Sequence, residues 1–324
     1  MSRAALTTRL ATALSGMPGQ VVITGGGGWL GLASLDLLER LLGDDLAARV
    51  KVYGSRARML TLPSGRNIPC SELSELARYD GAPPLVLHYA CLTKDRVAAF
   101  GLAAFLAGND AIRRNVIDFI QRCGAQGIFL PSSGAVYGPA RSLTQDTQGN
   151  PYGVCKLQDE AAFSSLAASR AIPLVVARVF NIAGPFINKP EAYALSSFLL
   201  AILQNRPIEI RAAGRVVRSY VHIDDLLTLA LAALLLSPNA TPYYFDTSGE
   251  ISVEVEALAT RAATVLGRPD TLIRRAKPDG RGDDVYVGDG AAMRRLAGAV
   301  GLEMRNLEQQ IHDTASYLAR DHTT

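Results

Sequence analysis

The first 180 residues alternate short apolar runs with longer helix-period stretches. Runs near 20–24, 49–54, 84–89, 126–131 and 173–180 read as strands, and stretches near 29–43, 96–123 and 152–170 read as helices. Such alternation predicts an α/β fold with a parallel, doubly wound sheet. From about residue 186 the rhythm changes. A helical stretch over Ala192 to Gln204 leads into short strands near Ile208–Arg211 and Val216–Val221. A helix from about His222 to Leu236 and a strand near Tyr243–Asp246 follow. Residues 1–18 carry Arg3 and Arg9 and no acidic residue, which is compatible with a transit peptide. The expectation adopted is an extra surface helix packing near the first strand.

Two motifs carry chemistry. Val21-Val22-Ile23-Thr24 runs into Gly25-Gly26-Gly27-Gly28-Trp29-Leu30-Gly31, and an apolar helix follows. Gly25, Gly28 and Gly31 have the spacing of a dinucleotide-binding turn. One glycine turns the chain, one admits a pyrophosphate to the backbone, and one lets helix pack on strand. The helix N-terminus then offers N–H donors and positive dipole to phosphates. The second motif is Tyr152-Gly-Val-Cys-Lys156, nineteen positions after Ser133. Tyr and Lys at i and i+4 share a helix face. The ammonium favours phenolate, so the phenol becomes a usable proton donor or acceptor. Ser133 adds a hydroxyl that can orient a substrate oxygen.

With both motifs in order, the chain resembles the extended short-chain dehydrogenase/reductase family, the nucleotide-sugar epimerase, dehydratase and ketoreductase group. Thr24 to Gly31 fits its T-G-x-x-G-x-x-G, and Ser133-Gly-Ala-Val136-Tyr137-Gly138 fits S-x-x-V-Y-G. Arg178-Val-Phe-Asn181-Ile-Ala-Gly184-Pro185 fits R-x-x-N-x-x-G-P. Arg218-Ser-Tyr-Val-His-Ile-Asp224-Asp225 fits its R-D-(F/Y)-x-x-x-x-D, with Ser219 for the usual Asp. The resemblance runs from about residue 20 to about 317. It implies a Rossmann-type sheet with a smaller C-terminal α/β substrate-binding domain. Residues 1–180 would bind NAD(P), with 222–250 returning to that domain, and 181–324 would bind substrate. By resemblance, Gly25, Gly28, Trp29, Leu30, Ala90 and Asn109 contact cofactor, as do Tyr152 and Lys156. Asn181, Arg218 and Arg281 contact the substrate's nucleotide diphosphate, although Arg218 alone could be a surface ion pair. The family's Asp after the third strand has no clear counterpart near Asn67–Glu72.

The end of the second strand bears on cofactor choice. Val50-Lys-Val-Tyr-Gly54-Ser55-Arg56 lacks the acid that holds a ribose diol in NAD enzymes. Ser55 and Arg56, with Arg58 as a further candidate, could instead bind a 2′-phosphate. NADP is therefore expected, with NAD possible.

Composition narrows the classes. A net charge of +3 without a Lys/Arg cluster gives no sign of nucleic-acid binding. No apolar run approaches the ~18–20 residues of a membrane span. The four cysteines are scattered without metal-ligand spacing, as in a reduced cytoplasmic protein, and no metal site is expected. His222, Asp224 and Asp225 open a helix, where Asp as N-cap suffices. The sugar 4,6-dehydratases carry an acidic pair after the active-site Ser/Thr; Gly134 and Ala135 cannot move protons. The expected function is NADP-dependent reduction of a nucleotide-activated keto-sugar by Ser133, Tyr152 and Lys156. A 4-epimerase and a non-catalytic NADP-sensing protein are the alternatives. The resemblance also implies a homodimer through helices 96–123 and 152–170, where Val97, Phe100, Leu102, Phe105, Leu106, Phe163, Leu166 and their alanine neighbours are more apolar than one buried face requires.

Overall fold

The computed structural model describes residues 2–138, 141–237, 242–277, 280 and 282–321. Its strands are β1 (Val21–Thr24), β2 (Val50–Gly54), β3 (Arg58–Thr61), β4 (Asn67–Glu72), β5 (Leu85–His88), β6 (Gly127–Ser133), β7 (Leu174–Val179), β8 (Ile182–Ala183), β9 (Ile208–Ile210), β10 (Val216–Arg218), β11 (Val221–His222), β12 (Tyr243–Asp246), β13 (Val253–Glu254), β14 (Ile273–Arg275) and β15 (Asp284–Tyr286). The helices are α1 (Arg3–Gly16), α2 (Trp29–Leu42), α3 (Leu46–Arg49), α4 (Arg96–Phe100), α5 (Leu102–Cys123), α6 (Pro151–Arg170), α7 (Ala194–Leu203), α8 (Ile223–Leu236), α9 (Val255–Val265), α10 (Ala291–Val300) and α11 (Leu307–Asp321).

Eight strands form the main sheet in the order β12-β7-β6-β5-β1-β2-β4-β3. All neighbours are parallel except β3, which runs antiparallel to β4. This is a Rossmann-type arrangement. The chain leaves β1 in one direction along the sheet and returns past it to β5, so a crevice opens beyond the C-terminal ends of β1 and β5. Alternate strand residues face opposite sides. Val21 and Ile23 join the core with α1, α2 and α8, and Val22 joins the one with α5 and α6. The β3–β4 hairpin was not legible in the sequence, because Arg58, Met59 and Thr61 are exposed on an edge.

The expected 96–123 helix is broken. Gly101, at φ 78°, ends α4 and begins α5. The N-terminal segment is helix α1. Leu6, Leu10 and Leu14 bury one stripe of it, in the core that also holds residues of α2 and α8. Arg3 reaches Asp225 at 2.6 Å and Asp224 at 3.4 Å.

The cap of α8 is His222, whose Nδ1 accepts the Asp224 N–H at 3.1 Å, rather than an aspartate. Asp224 and Asp225 are met instead by Arg3, Arg40 and Arg305. This corrects the assignment from sequence: three distant arginines, not the local helix start, engage these acids. Burial, aided by Arg305, lowers His222 to about 4, and burial with nearby Lys156 lowers His88 to about 3. Both imidazoles are thus neutral when folded, while an unfolded imidazole titrates near ~6.5. Their stabilisation is complete above that pH and falls as pH drops towards 4, by up to roughly 3 kcal/mol each. Melting temperature should fall steadily from pH 7 to pH 4.5, and less steeply in His222→Asn. A level wild-type profile would refute this.

Phe163, Phe105, Leu166 and Ala167 lie inside the monomer core. They do not form a subunit contact, which corrects part of the expected pairing surface. A charge at Phe163 would unfold the monomer, since an unpaired buried charge costs several kcal/mol.

Candidate active site

The glycine turn is built for close approach. Gly25 has φ +73°, a left-handed conformation that suits glycine, and a Cβ there would lie 2.7 Å from Ala90 N. A Cβ at Gly31 would lie 2.5 Å from Gly26 O, so α2 packs on the turn only with glycine there. Gly28 is the N-cap of α2 and offers no side chain to its first-turn N–H groups. Those donors, including Trp29 and Leu30, fit a pyrophosphate. The Trp29 indole does other work: Nε1 donates to Pro185 O at 2.7 Å.

Ser55 and Arg56 are exposed beyond β2. Arg58 is better placed. Its guanidinium lies across Gly27, where a Cβ would fall 1.5 Å from Nη2. The β3–β4 hairpin folds it back over the phosphate turn.

On the other side of the crevice, the Ala90 N–H reaches Thr24 Oγ1 at 3.4 Å. Asn109 is buried, and its side chain is committed to backbone. Its Oδ1 accepts the Leu92 N–H at 2.8 Å, and Nδ2 donates to Phe105 O at 3.2 Å. It shapes the loop after β5 rather than presenting a free amide.

Ser133 ends β6 and accepts the Ala135 N–H at 3.1 Å. Asn150 caps α6 by accepting the Gly153 N–H at 3.0 Å, and donates from Nδ2 to Ala135 O at 2.6 Å. A Cβ at Gly153 would lie 2.1 Å from Ala135 O, so the start of α6 closes directly on the turn after Ser133. That closure sets Tyr152, on the first turn of α6, close to Ser133. Lys156 is buried, donates to Pro131 O at 3.3 Å, and sits 3.8 Å from Asp159. Its Nζ lies 5.9 Å from the Tyr152 ring centroid.

Burial pushes the Tyr152 phenol up, with Lys156 pulling against it. The sequence expectation named only the second effect; desolvation outweighs it, and Tyr152 stands as a neutral phenol. Burial works against the Lys156 ammonium too, but its acidic surroundings, with the Asp159 carboxylate 3.8 Å away, hold its pKa above the ordinary lysine value.

An aromatic wall completes the site. Tyr286 OH lies 3.4 Å from Ser133 Oγ, and its ring is 4.7 Å from Phe180. Phe180 stacks on Tyr137 at 6.1 Å, and Arg141 covers Tyr137 at 4.6 Å. A Cβ at Gly134 would lie 2.6 Å from the Phe180 ring. The side-chain space at Gly134, one of the two positions compared with the dehydratase acidic pair, is therefore filled by Phe180. Tyr286 was missed because its three-residue strand carries no period of its own.

Asn181 donates to Ser219 O at 3.1 Å and Tyr286 O at 3.2 Å, joining the wall to the C-terminal segments. Arg218 pairs with Asp284, Nη2 to Oδ2 at 2.6 Å, so an incoming phosphate would compete with that carboxylate. Arg281 lies outside the described residues.

Comparisons with known proteins bear on the family and the fold. Among curated proteins, UDP-glucuronic acid decarboxylase 1 of Arabidopsis thaliana is 23% identical over 285 residues, 80% of this chain. The match spans 63% of that protein, less than two thirds of its length. UDP-glucose 4-epimerase of Mycoplasma pneumoniae is 23% identical over 239 residues, 66% of this chain and 71% of that one. Among solved structures, UDP-N-acetylglucosamine 4-epimerase from Methanobrevibacter ruminantium, in complex with UDP-N-acetylmuramic acid, superposes with a TM-score of 0.72 at 19% identity. The alignment covers 94% of this chain and 100% of that one. UDP-glucose 4-epimerase from Thermus thermophilus, in complex with NAD, gives 0.69 at 21% identity, covering 93% and 99%. These structures share the fold. The model of the NAD dependent epimerase/dehydratase family matches residues 21–243, a span that holds the glycine turn, Ser133, Tyr152 and Lys156, and the chain belongs to that family.

Proposed function

We propose that the protein is an NADP-dependent oxidoreductase that reduces a nucleotide-activated keto-sugar. The observation that carries this reading is the crevice beside β2: no acid at Gly54, and Arg58 laid across Gly27. Guanidinium there suits a 2′-phosphate. In this reading residues 1–180, with 222–250, hold the dinucleotide, and residues 181–324 hold the substrate. The nicotinamide, when bound, supplies the hydride. Ser133 fixes the substrate carbonyl oxygen, and Tyr152, kept neutral by burial, donates its proton to that oxygen as charge develops. Lys156 holds the phenolate that remains and fixes the nicotinamide ribose. Neither Gly134, whose side-chain space Phe180 fills, nor Ala135 can serve as a dehydratase acid. In this reading Arg218 and Asn181 contact the nucleotide diphosphate, Arg218 exchanging Asp284 for phosphate.

A second reading is a 4-epimerase, favoured by the epimerases among the relatives. There Tyr152 removes the substrate hydroxyl proton first, and the protein retains its dinucleotide. Absorbance of the purified protein separates the two. Retained, recycled cofactor supports the epimerase; an empty protein that consumes added NADPH with a nucleotide keto-sugar supports the reductase. A panel of nucleotide sugars read by cofactor absorbance and thermal shift names the substrate. No turnover and no stabilisation across the panel would overturn both.

We also propose a homodimer through the exposed faces of α5 and α6, which present Ala103, Ala107, Ala111, Ala161 and Ala168. Light scattering should give about twice 34.5 kDa at micromolar concentration, and Ala161→Glu should halve it. A wild-type mass of 34.5 kDa would refute the dimer.

A further inference from the structure

The segment from Pro185 to Tyr193 is tied to the main-sheet side of the crevice at separate points. At its start, Trp29 Nε1 donates to Pro185 O at 2.7 Å, and Trp29 is the first residue of α2, beside the phosphate turn. Tyr193 packs on the same indole at 5.6 Å. In between, Lys189 Nζ reaches Asp95 Oδ2 at 2.8 Å. Asp95 belongs to the loop after β5 and also accepts from Thr93 Oγ1 at 2.5 Å. The first tie lies beyond β1 and the second beyond β5, which are neighbours in the sheet at Thr24↔His88. The crevice opens between those two strand ends. Four residues reach at most ~14 Å, ample to cross from one rim to the other.

We propose that residues 185–193 form a strap across the cofactor crevice, latched by Lys189 and Asp95, that must unlatch for a dinucleotide to leave. The inference rests on the reading that the crevice holds a dinucleotide. It extends that reading by assigning cofactor retention to residues outside the binding turn. The latch is half exposed, 44% and 50% for the two side chains, so it works as a releasable tie rather than a permanent one. Lys189 and Thr93 hold the Asp95 carboxyl at about 2, so acidification to pH 5 leaves the latch closed.

Dissociation rates of NADPH and NADH test the strap. Trp29, the one tryptophan of the chain, reports release through energy transfer to the reduced nicotinamide. Lys189→Ala and Asp95→Ala should each raise koff roughly two- to fivefold, the range of an exposed ion pair. The exchanged pair Asp95→Lys with Lys189→Asp should return koff to the wild-type value. Single variants that release at the wild-type rate would overturn the strap while leaving the dinucleotide reading in place. An exchanged pair as fast as the singles would do the same. Wild-type protein that binds neither dinucleotide overturns both.

Discussion

Tyr152→Phe is expected to lower kcat at least ~10²-fold, the usual size of a general acid/base contribution, while the Kd for dinucleotide stays nearly unchanged. The substitution keeps the ring, which lies beside Ser133 and Lys156, and removes the one atom that moves the proton. The buried Lys156 keeps Pro131 O and Asp159 as partners, so the crevice should keep its shape. Steady-state kinetics on the substrate found by the panel, beside a dinucleotide titration, measure both quantities. A Phe variant with wild-type kcat would remove Tyr152 from the chemistry. A variant that also lost dinucleotide affinity would mean that the phenol serves binding.

Arg58→Ala is expected to weaken NADPH binding roughly ten- to 150-fold, the equivalent of losing one charge-assisted hydrogen bond of ~1.5–3 kcal/mol. NADH, which lacks the 2′-phosphate, should be nearly unaffected. Arg56→Ala should do less, because Arg56 projects from an exposed loop whereas Arg58 lies on the phosphate turn. Titration of both dinucleotides against wild type and both variants decides the matter. Equal losses for NADPH and NADH would sink the NADP assignment. The converse design, Gly54→Asp, is confounded by packing: a Cβ at Gly54 lies 3.0 Å from the buried Cys70 Sγ.

The parts of this protein that were legible in its sequence are those decided by neighbours along the chain. Helix geometry alone aligns Tyr152 with Lys156, whatever surrounds them. The spacing of Gly25, Gly28 and Gly31 answers to a turn of eight residues, and the main-sheet strands up to β7, apart from the β3–β4 hairpin, announced themselves as short apolar runs. β12, although distant in sequence, was expected as a strand for the same reason. What the chain did not disclose depends on residues far apart in sequence meeting in space. Arg58 reaches Gly27 only because a hairpin folds back over the turn. The Tyr286 hydroxyl lies beside Ser133, 153 positions earlier, because β15 pairs with β10 in one register. Phe163, expected at a subunit contact, is enclosed by the sheet and α5. The Tyr152 phenol illustrates both kinds at once. Its lysine partner is written in the local spacing, but whether the ammonium or desolvation prevails depends on how completely the fold excludes water, and here burial prevails. Sequence determined which groups could do the chemistry and roughly where the crevice lies; tertiary structure alone decided their ionisation, the cation at the glycine turn and the aromatic wall beside Ser133, because electrostatic and packing energies depend on distance in space rather than along the chain.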